Sequence, residues 1–320
     1  MKAIQINEGK MLWEETSLPR CEDSEVLIKI KATAVNRADL AQKAGLYPPP
    51  PGASQILGLE CSGIIEKVGN KVKNRKVGEE VTALLSGGGY AEYVCCPEKQ
   101  VLPIPKSLTL LESAAIPEVF ATCWFNLFMQ GNLKTGEKVL FHAGASGIGT
   151  AGIQLCKEFG CYSYVTAGTE EKVNFCVELG SEKGIVRSEN RYESFKNYCP
   201  EGLDIILDPV GGNYFEENLN NLAIDGRLII IGILGGTEGK LNIGHLLMKR
   251  QKIIGSTIRS RSIKVKGQVM EQLFYKIWPL FNARKIKPII YKTMNINEAE
   301  KAHQIMSKNN NIGKIVLEIS

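Results

Sequence analysis

The segment covering residues 138–159 constrains the fold of this chain more than any other. It reads Lys138-Val-Leu-Phe-His-Ala-Gly-Ala-Ser-Gly-Ile-Gly149 and continues from Thr150 to Phe159. Residues 139–143 form an apolar run, which is typical of a strand covered on both faces. Beyond the glycines, apolar residues recur at helical spacing. The pattern predicts a buried strand, a turn of small residues and an amphipathic helix.

A helix that begins at such a turn can bind a pyrophosphate, because its free N–H groups and the positive end of its dipole point there. Against the dinucleotide fingerprint G-x-G-x-x-G, the first and last glycines are Gly144 and Gly149, but Ser146 replaces the middle one. A strand-to-helix turn that binds nothing is the alternative. The candidate cofactor turn comprises Gly144, Ala145, Ser146, Gly147, Ile148 and Gly149.

The next strand-like run, residues 163–167, indicates which dinucleotide binds. Enzymes that use NAD carry an acidic residue about 20 positions beyond the turn, where it binds the ribose hydroxyls. Here that position is Gly168, followed by Thr169, and two cations, Lys172 and Arg187, suit a 2′-phosphate. The sequence therefore predicts NADPH over NADH. Two alternatives stay open: Lys172 is a solvated helix lysine, or the glutamates before it turn toward the ribose.

Composition sets broad limits on the kind of protein. The chain has 320 residues, 44% of them hydrophobic and 23% charged, and a net charge of +5, as in an ordinary globular protein. Nine cysteines with no C-x-x-C pair predict neither a disulfide framework nor a zinc knuckle. The first residues lack a signal-peptide core, and no apolar run has the length of a membrane span. These features predict a cytoplasmic protein with no membrane segment.

The periodicity of apolar residues changes twice along the chain. In the first third, residues 26, 28 and 30 alternate with their neighbours, and further strand candidates at 64–68, 81–85 and 90–94 predict a small antiparallel barrel. Strands and helices then alternate, which predicts a doubly wound parallel sheet. The apolar runs of that part are 139–143, 163–167, 204–207, 227–231 and 253–258. An amphipathic helix over 265–280 and a strand at 312–319 follow and are expected to rejoin the first domain.

Residues 239–270 contain eight lysines and arginines and no acidic residue. Such a run can mark nucleic-acid binding. Because it crosses a strand, a junction and the start of a helix, a single charged face is not expected. A solvated surface with one or two cations near the cofactor is favoured over nucleic-acid binding.

Several motifs resemble those of a known family. They are Asn36-Arg-Ala-Asp-Leu40, Gly45-Leu-Tyr47-Pro-Pro-Pro-Pro-Gly52, Ile56-Leu-Gly-Leu-Glu60-Cys-Ser-Gly63, Ala115-Ile-Pro117-Glu118, the turn at 142–149, Gly211-Gly212, Gly232-Ile-Leu-Gly235-Gly236, Arg259-Ser-Arg261 and Asn311-Ile-Gly-Lys314-Ile-Val-Leu. Over nearly the whole length, the chain resembles the zinc-free, zeta-crystallin-like quinone oxidoreductases of the medium-chain dehydrogenase/reductase superfamily. The branch it resembles most is the tumour-suppressor-inducible one.

The resemblance implies an architecture. A GroES-like, β-rich catalytic domain (1–118) is interrupted by an α/β Rossmann domain for NADPH (119–258) and completed by a return segment (259–320), with the active site in the cleft between the two domains. It also implies a homodimer. The domain reading from periodicity agrees with this arrangement.

Metal catalysis is not expected. Where zinc members of the superfamily carry Gly-His-Glu, this chain has Gly58-Leu59-Glu60, and the catalytic cysteine of those enzymes falls near Asn36. The three histidines, at positions 142, 245 and 303, have no partner at ligand spacing. A zinc alcohol dehydrogenase is therefore excluded. An electron-poor acceptor such as a quinone needs little Lewis-acid activation.

The resemblance also places site residues. It implies that Thr122, Gly232, Ile233 and Leu234 frame the nicotinamide and that Asn311 and Lys314 close over the cofactor. Tyr47 and Asn36 are the two polar side chains expected at the acceptor, with Asn36 donating to a carbonyl oxygen and Tyr47 supplying a hydroxyl. The alternatives are that Asn36 caps the helix after it and that Tyr47 packs on the proline run.

Other reactive side chains are expected to be structural. His142 lies in a predicted buried strand and is read as a core histidine rather than a catalytic base. Glu60 is expected to stabilise its domain and the cleft. Cys95 and Cys96 are expected to be strand-edge thiols with no redox partner.

The predicted activity is NADPH-dependent reduction of a quinone without a metal. One alternative is an enoyl thioester or enone reductase, in which Tyr47 protonates the α-carbon. A second is a cofactor-binding protein with a structural or RNA-binding role and little turnover.

Overall fold

The computed structural model describes residues 1–187 and 195–319. Two compact units are present. The split unit consists of Met1–Ala121 together with Ile258–Ser320, and the central unit consists of Thr122–Thr257. The boundaries between them differ by only a few residues from those expected from the sequence.

Fifteen strands are present in the described residues. They are β1 (Lys2–Asn7), β2 (Lys10–Glu15), β3 (Glu25–Ala34), β4 (Glu60–Val68), β5 (Glu80–Leu84), β6 (Tyr93–Pro97), β7 (Val101–Pro103), β8 (Lys138–Phe141), β9 (Tyr162–Ala167), β10 (Lys183–Val186), β11 (Leu203–Asp208), β12 (Leu222–Ile230), β13 (Lys252–Gly255), β14 (Ile290–Asn295) and β15 (Lys314–Glu318). Strands β8 to β13 belong to the central unit.

The α-helices of the described residues are short, apart from three of ten or more residues. They are α1 (Arg37–Lys43), α2 (Leu110–Ser113), α3 (Pro117–Cys123), α4 (Gly147–Glu158), α5 (Glu170–Leu179), α6 (Phe215–Asn221), α7 (Ile243–Met248), α8 (Ile263–Lys276), α9 (Trp278–Asn282) and α10 (Ala299–Ser307). A π-helical turn, Trp124–Gln130, follows α3. Short 3₁₀ turns lie at Glu98–Gln100, Phe195–Asn197, Gly212–Tyr214 and Ile296–Glu298.

The split unit is built on a seven-stranded sheet in the order β14-β15-β3-β4-β5-β7, with β6 also paired to β3. The strand pairs from the first third of the chain are antiparallel, as predicted, whereas β14 and β15 of the return segment are parallel to each other. β15 comes from the C-terminal part of the chain and lies beside β3, with Leu317 opposite Thr33. The return of the last segment to the first domain is therefore confirmed within this unit.

The central unit is a six-stranded parallel sheet in the order β10-β9-β8-β11-β12-β13. Its core contains fully buried side chains such as Leu140, Ile206 and Leu228 from three adjacent strands. Strand order reverses between β8 and β11, and ligands of such sheets bind at the carboxyl ends of the strands beside this point. The doubly wound parallel sheet predicted from the sequence is confirmed.

Two element predictions need correction. The strand expected at 90–94 covers Tyr93–Pro97 instead. Tyr90 lies before this strand: its backbone N–H donates to the carbonyl of Leu57 (2.9 Å), and its ring is fully buried. The single helix expected over 265–280 is two helices, α8 and α9, and Pro279 lies in the first turn of the second. A proline is tolerated in a first turn but breaks a helix interior.

The prediction that Cys95 has no redox partner is wrong. A disulfide joins Cys95, on β6, to Cys21, with 5.2 Å between the two Cα atoms. The two cysteines are 74 residues apart in the sequence, so no local spacing indicates the pairing. Cys96 is a buried free thiol.

Among the described residues, no helix combines the length and the apolar character that crossing a membrane requires.

Candidate active site

The glycine turn after β8 is shaped by close packing. Ser146 is the N-cap of α4, and its hydroxyl accepts a hydrogen bond from the N–H of Gly149 (3.1 Å). A Cβ on Gly149 would lie 2.2 Å from the carbonyl oxygen of Gly144, and a Cβ on Gly144 would lie 2.5 Å from the Val165 side chain. Both positions therefore require glycine. The first N–H groups of α4 have no acceptor within the helix and point at the space above the turn.

Thr122 belongs to the helix that precedes this turn. Its neighbour Cys123 is buried, and the Cys123 thiol donates to the carbonyl of Ile148 (3.2 Å) at the start of α4. The end of α3 therefore lies against the glycine turn within the central unit.

The end of β9 provides open space at the position that decides the nucleotide. Nothing lies within 4 Å of the place where a Cβ on Gly168 would be. Thr169 caps α5 by accepting the N–H of Lys172 (3.3 Å), which puts Lys172 in the first turn of that helix. A phosphate beside Gly168 would meet both the helix N-terminus and this lysine.

Arg187 follows β10, and its backbone N–H donates to the carbonyl of Ala167 at the end of β9 (2.9 Å). It is therefore near Gly168, as expected. Its side chain, however, is hydrogen-bonded to the Tyr214 hydroxyl. The backbone of both candidate cations thus lies beside Gly168, with Lys172 in the first turn of α5 and Arg187 at the end of the neighbouring strand.

Two further loops lie at the same edge of the sheet. Gly232, Ile233 and Leu234 follow β12, and the N–H of Leu234 donates to the carbonyl of Pro209 beyond β11 (3.2 Å). Ile233 and Leu234 are each 61% exposed. Because all of these strands are parallel, their carboxyl ends bring the 144–149, 168–172 and 232–234 segments to one edge.

A buried polar chain that the sequence analysis missed runs beneath this edge. Thr166 and His142 Nδ1 are 2.9 Å apart, His142 Nε2 lies 2.7 Å from Asn218 Oδ1, and Asn218 Nδ2 donates to Asp208 Oδ2 (2.9 Å). Asp208 also accepts the N–H of Val210 (2.6 Å). Since Asn218 uses its oxygen toward His142, Nε2 of the ring carries a proton.

Burial lowers the pKa of His142 to about 4, although its bond to Asn218 acts in the other direction. Burial also raises the pKa of Asp208 to about 6, against its N–H donors. His142 is thus a hydrogen-bonded core histidine, as predicted. These hydrogen bonds link the ends of β9, β8 and β11. They therefore hold the loops at the carboxyl edge of the sheet in position.

In the split unit, a buried cluster surrounds Glu60. Lys314 Nζ lies 2.8 Å from Glu60 Oε1, and it also donates to Asn36 Oδ1 (2.6 Å) and to the carbonyl of Val35 (2.9 Å). Glu60 is fully buried, as expected of a structural group. All three protons of the Lys314 ammonium have acceptors inside the unit, so the geometry does not direct this side chain toward a nucleotide.

The amide of Asn36 is also fully engaged. Its Nδ2 donates to Glu60 Oε1 (2.9 Å) and to the carbonyl of Ala34 (3.1 Å). Asn36 precedes α1 as its N-cap residue, and there its backbone N–H donates to Asp39 (2.7 Å). Neither amide proton of Asn36 is available to an acceptor carbonyl in this arrangement.

Asp39 and Glu118 are acids that the sequence analysis did not single out. Burial raises the pKa of Asp39 to about 6, and the Tyr90 hydroxyl lies between it (3.3 Å) and His303 Nε2 (3.1 Å). Burial and the neighbouring Glu60 raise the pKa of Glu118 to about 8, and its backbone N–H donates to Glu60 Oε2 (2.9 Å). The sequence signal for Glu118 is its place at the start of a helix, directly after Pro117.

Tyr47 is half-buried and lies under Arg259. The guanidinium carbon of Arg259 is 5.2 Å from the centre of the Tyr47 ring, and Arg259 Nη1 donates to the Tyr47 carbonyl (3.3 Å). Burial and Glu118 raise the pKa of Tyr47, while Arg259 lowers it. The Tyr47 hydroxyl is thus a proton donor at neutral pH.

Asn311 lies in the turn before β15, where its amide donates to the carbonyl of Gly313 (2.7 Å).

The donor set for a catalytic zinc is not present around Glu60. Leu59 is 1% exposed and offers no ligand atom. His142 is hydrogen-bonded to Thr166 and Asn218 through its two ring nitrogens, and His303 Nε2 contacts the Tyr90 hydroxyl. Within the described ranges, one group of potential ligands lies close enough to share an ion, Cys21, Glu25 and Cys95, but its two sulfurs are bonded to each other.

Comparison with known proteins identifies the family. Residues 147–274 match the zinc-binding dehydrogenase family, and residues 22–106 match the alcohol dehydrogenase GroES-like domain. The chain belongs to the medium-chain dehydrogenase/reductase superfamily. Within this superfamily it is an oxidoreductase, with the mixed GroES-like and Rossmann-type fold predicted from the sequence.

Three similar proteins have different names. A synaptic vesicle membrane protein VAT-1 homolog of Danio rerio is 29% identical over 98% of this chain, and the chain spans 66% of that protein's length. The quinone oxidoreductase of Homo sapiens is 29% identical, with 99% of this chain and 97% of that protein covered. The solved CurK enoyl reductase has a TM-score of 0.84 and 25% identity, with 100% and 99% of the two chains covered.

Proposed function

We propose that this protein oxidises NADPH and passes the reducing equivalents to a quinone without a metal. The observation that carries the proposal is the Glu60 cluster: a buried leucine fills the position of the zinc-ligand histidine, and Lys314 and Asn36 saturate the adjacent carboxylate. This residue set gives no Lewis acid to activate an alcohol, whereas a quinone accepts electrons readily. The human quinone oxidoreductase among the relatives supports this choice.

The central unit provides the residues that would bind the cofactor. The 144–149 turn receives the pyrophosphate at the start of α4, and Lys172 binds the 2′-phosphate in the open space at Gly168. Thr122 and the 232–234 loop frame the nicotinamide. When bound, NADPH supplies a hydride. The sequence resemblance implies that Asn311 and Lys314 cover the cofactor. We keep this role as a proposal for Asn311 and assign Lys314 to the Glu60 cluster.

Tyr47 is the proposed contact to the acceptor. Its hydroxyl is protonated and can donate to an oxygen on which negative charge develops. Arg259 fixes the ring from above and so limits its rotation. We propose that Asn36 acts indirectly by holding Glu60 and Lys314, since both of its amide protons are already used.

The test is steady-state NADPH oxidation with 1,2- and 1,4-naphthoquinone, compared with crotonyl and octenoyl thioesters. We expect faster turnover of the quinones. Tyr47→Phe removes only the hydroxyl, and we expect kcat/KM to fall about 100-fold, in the usual range for loss of a positioned proton donor. Tyr275→Phe is the matched control, because Tyr275 is 67% exposed. Equal loss in both variants would remove Tyr47 from the mechanism.

A second candidate function is reduction of an enoyl thioester or enone, which the likeness to the CurK enoyl reductase favours. In that reaction the Tyr47 hydroxyl would give its proton to the α-carbon of the alkene. Faster turnover of thioesters than of either naphthoquinone would establish this activity in place of the first.

The structure gives less support to a nucleic-acid-binding role. Of the eight cations in residues 239–270, Arg259 and Lys266 are buried, and Arg250 forms an ion pair with Asp225 (2.7 Å). These side chains do not form one exposed basic face. A salt-sensitive shift of labelled AU-rich RNA, with negligible NADPH oxidation, would reverse this conclusion. The cytoplasmic location and the homodimer inferred from the sequence stay predictions.

A further inference from the structure

The split unit contains a cavity of about 730 Å³ that the proposed function does not use. This volume lies in the range of sites for small organic ligands, roughly 300–1,000 Å³. Among the residues that line it are Ser54, Ser86, Gln100, Arg259 and Lys266. The turn at Ser86 continues into two lining glycines, so backbone as well as side chains borders the space.

Two buried cations meet at this cavity. Arg259 is 3% exposed and Lys266 is 4% exposed. Arg259 donates to Ser86 O (2.9 Å), to the Tyr47 carbonyl and to Gln42 Oε1 (2.6 Å), while Lys266 donates to the Ser86 hydroxyl and to the Arg259 carbonyl (3.3 Å). Every one of these acceptors is neutral.

Neither cation forms an ion pair with a carboxylate in the described part of the chain. Charged side chains are rarely buried without a partner, because leaving water costs several kcal/mol per ion. Glu118 attracts both cations and Asp39 attracts Arg259, but neither carboxylate forms an ion pair with them. Burial and Glu60 raise the pKa of Glu118 to about 8, so it is largely protonated at neutral pH. Glu25 also lines the cavity, and its carboxylate accepts the N–H of Glu22 (3.0 Å). Within the described residues, no carboxylate is therefore in direct contact with Arg259 or Lys266 to neutralise its charge.

Two other features suit a ligand here. The side-chain oxygen of Gln100 is buried without a hydrogen-bond partner, while its nitrogen donates to the Leu84 carbonyl (2.6 Å). An N–H or O–H of a ligand would satisfy that oxygen. The N-terminus of α8, a helix of 14 residues capped by Ser262, also borders the cavity and adds positive potential.

We propose that this cavity binds an organic anion, a carboxylate or a phosphate monoester, with its charged group at Lys266 and Arg259. A donor on the same molecule pairs with Gln100. Arg259 also stacks on Tyr47, so the bound anion lies one side chain away from the proposed proton donor. We assign this anionic group to the electron acceptor, and that assignment rests on the proposed function. The existence of the anion site does not depend on the proposed function.

Binding is measured first, without NADPH, by calorimetry on the full chain. The probes are 2-naphthoate, 2-naphthyl phosphate and uncharged 2-acetylnaphthalene. We expect both anions to bind wild type at least about tenfold more tightly than the uncharged probe, and the order of the two anions identifies the preferred group. Lys266→Met should abolish that preference and Lys264→Met should keep it, because Lys264 lies on the same helix but is exposed. Thermal unfolding of both variants verifies that they fold.

Turnover is measured second, with a carboxylated 1,4-naphthoquinone and its uncharged parent. We expect wild type to favour the carboxylated quinone in kcat/KM and Lys266→Met to lose that preference. Anion binding that depends on Lys266, without turnover of any quinone, would refute the proposed function and leave the site standing. Anions that bind wild type no better than 2-acetylnaphthalene, or equally well to Lys266→Met, would overturn the site.

Discussion

Lys314 Nζ lies 2.8 Å from Glu60 Oε1, and the two side chains are 4% and 0% exposed. One comes from the last strand of the chain and the other from β4, and Asn36 contacts both. This ion pair ties the C-terminal return segment to the first part of the split unit. It also occupies the carboxylate next to Leu59, which the sequence resemblance aligns with the zinc-ligand histidine of zinc-dependent members.

Replacing Lys314 should destabilise the protein strongly. Lys314→Met leaves the buried Glu60 carboxylate without its counter-charge, which typically costs about 3–5 kcal/mol of unfolding free energy. Urea denaturation measures the change. Lys301→Met is the control, because Lys301 pairs with Glu298 at the surface (3.3 Å), where ion pairs contribute less than about 1 kcal/mol. Equal losses would show that burial of the Lys314 pair has no special weight.

The nucleotide preference should depend on Lys172 and Gly168. Lys172→Ala should weaken NADPH binding about tenfold or more and leave NADH unchanged, since it removes one charge-assisted hydrogen bond of roughly 1.5–3 kcal/mol. The Cβ of Gly168→Asp meets nothing within 4 Å, and its carboxylate should reverse the preference toward NADH. Fluorescence titration measures both affinities. Equal affinity of wild type for the two nucleotides would contradict the 2′-phosphate interpretation.

Replacement by alanine should lower the stability of the protein at Gly149 but not at Gly168. In Gly149→Ala the new methyl group would lie 2.2 Å from the Gly144 carbonyl oxygen, so the turn must shift, and we expect a stability loss of about 1–3 kcal/mol and weaker NADPH binding. Gly168→Ala meets nothing within 4 Å and should leave stability nearly unchanged. Chemical denaturation of the two variants tests the comparison, and similar stability would show that the turn is not tightly packed.

Stability should fall with acidification partly because of His303. Burial lowers its pKa from 6.5 to about 4, so between pH 6.5 and 4 the unfolded chain takes up a proton that the folded ring does not. The stability contribution is complete above pH 6.5 and is lost at about 1 kcal/mol per pH unit as the pH falls. His142 acts in the same direction, whereas Asp39 and Asp208, with pKa values raised to about 6, act in the opposite one.

A difference measurement isolates the histidine. His303→Gln should have a smaller loss of unfolding free energy between pH 6.5 and 4 than wild type, after each is referenced to its own value at pH 7. Identical slopes would show that His303 takes up its proton over the same pH range in the folded and the unfolded chain.

The inferred homodimer should depend on an exposed apolar surface of the central unit. Leu247 and Met248 on α7 are 72% and 77% exposed, and the next strand, β13, is the edge of the six-stranded sheet. Exposed apolar side chains beside an edge strand are typical of an interface. Leu247→Glu should convert a dimer to a monomer in sedimentation velocity, while Val77→Glu, on the split unit and 60% exposed, should not. A monomeric wild type would refute the dimer.

The central unit could be predicted from the sequence because its signals are local. A parallel strand, a glycine turn and a helix follow each other within about 20 residues, as the fingerprint describes, and Gly144, Gly149 and Gly168 lie where that pattern puts them. The spacing of the apolar residues also distinguished the strand-rich first domain from the domain in which strands and helices alternate. It does so because strands and helices bury side chains at different spacings.

The partners of the charged and polar side chains were decided by tertiary structure alone. Lys314 was expected near a cofactor but pairs with a residue far away in the sequence, and Cys21 meets Cys95 across 74 positions. Arg259 and Lys266 belong to one basic run in the sequence, yet both are buried beside a cavity that this run lines together with segments of the first 100 residues. Local sequence sets the spacing along one strand or helix, whereas the pairing of buried charges depends on which distant segments the fold packs together.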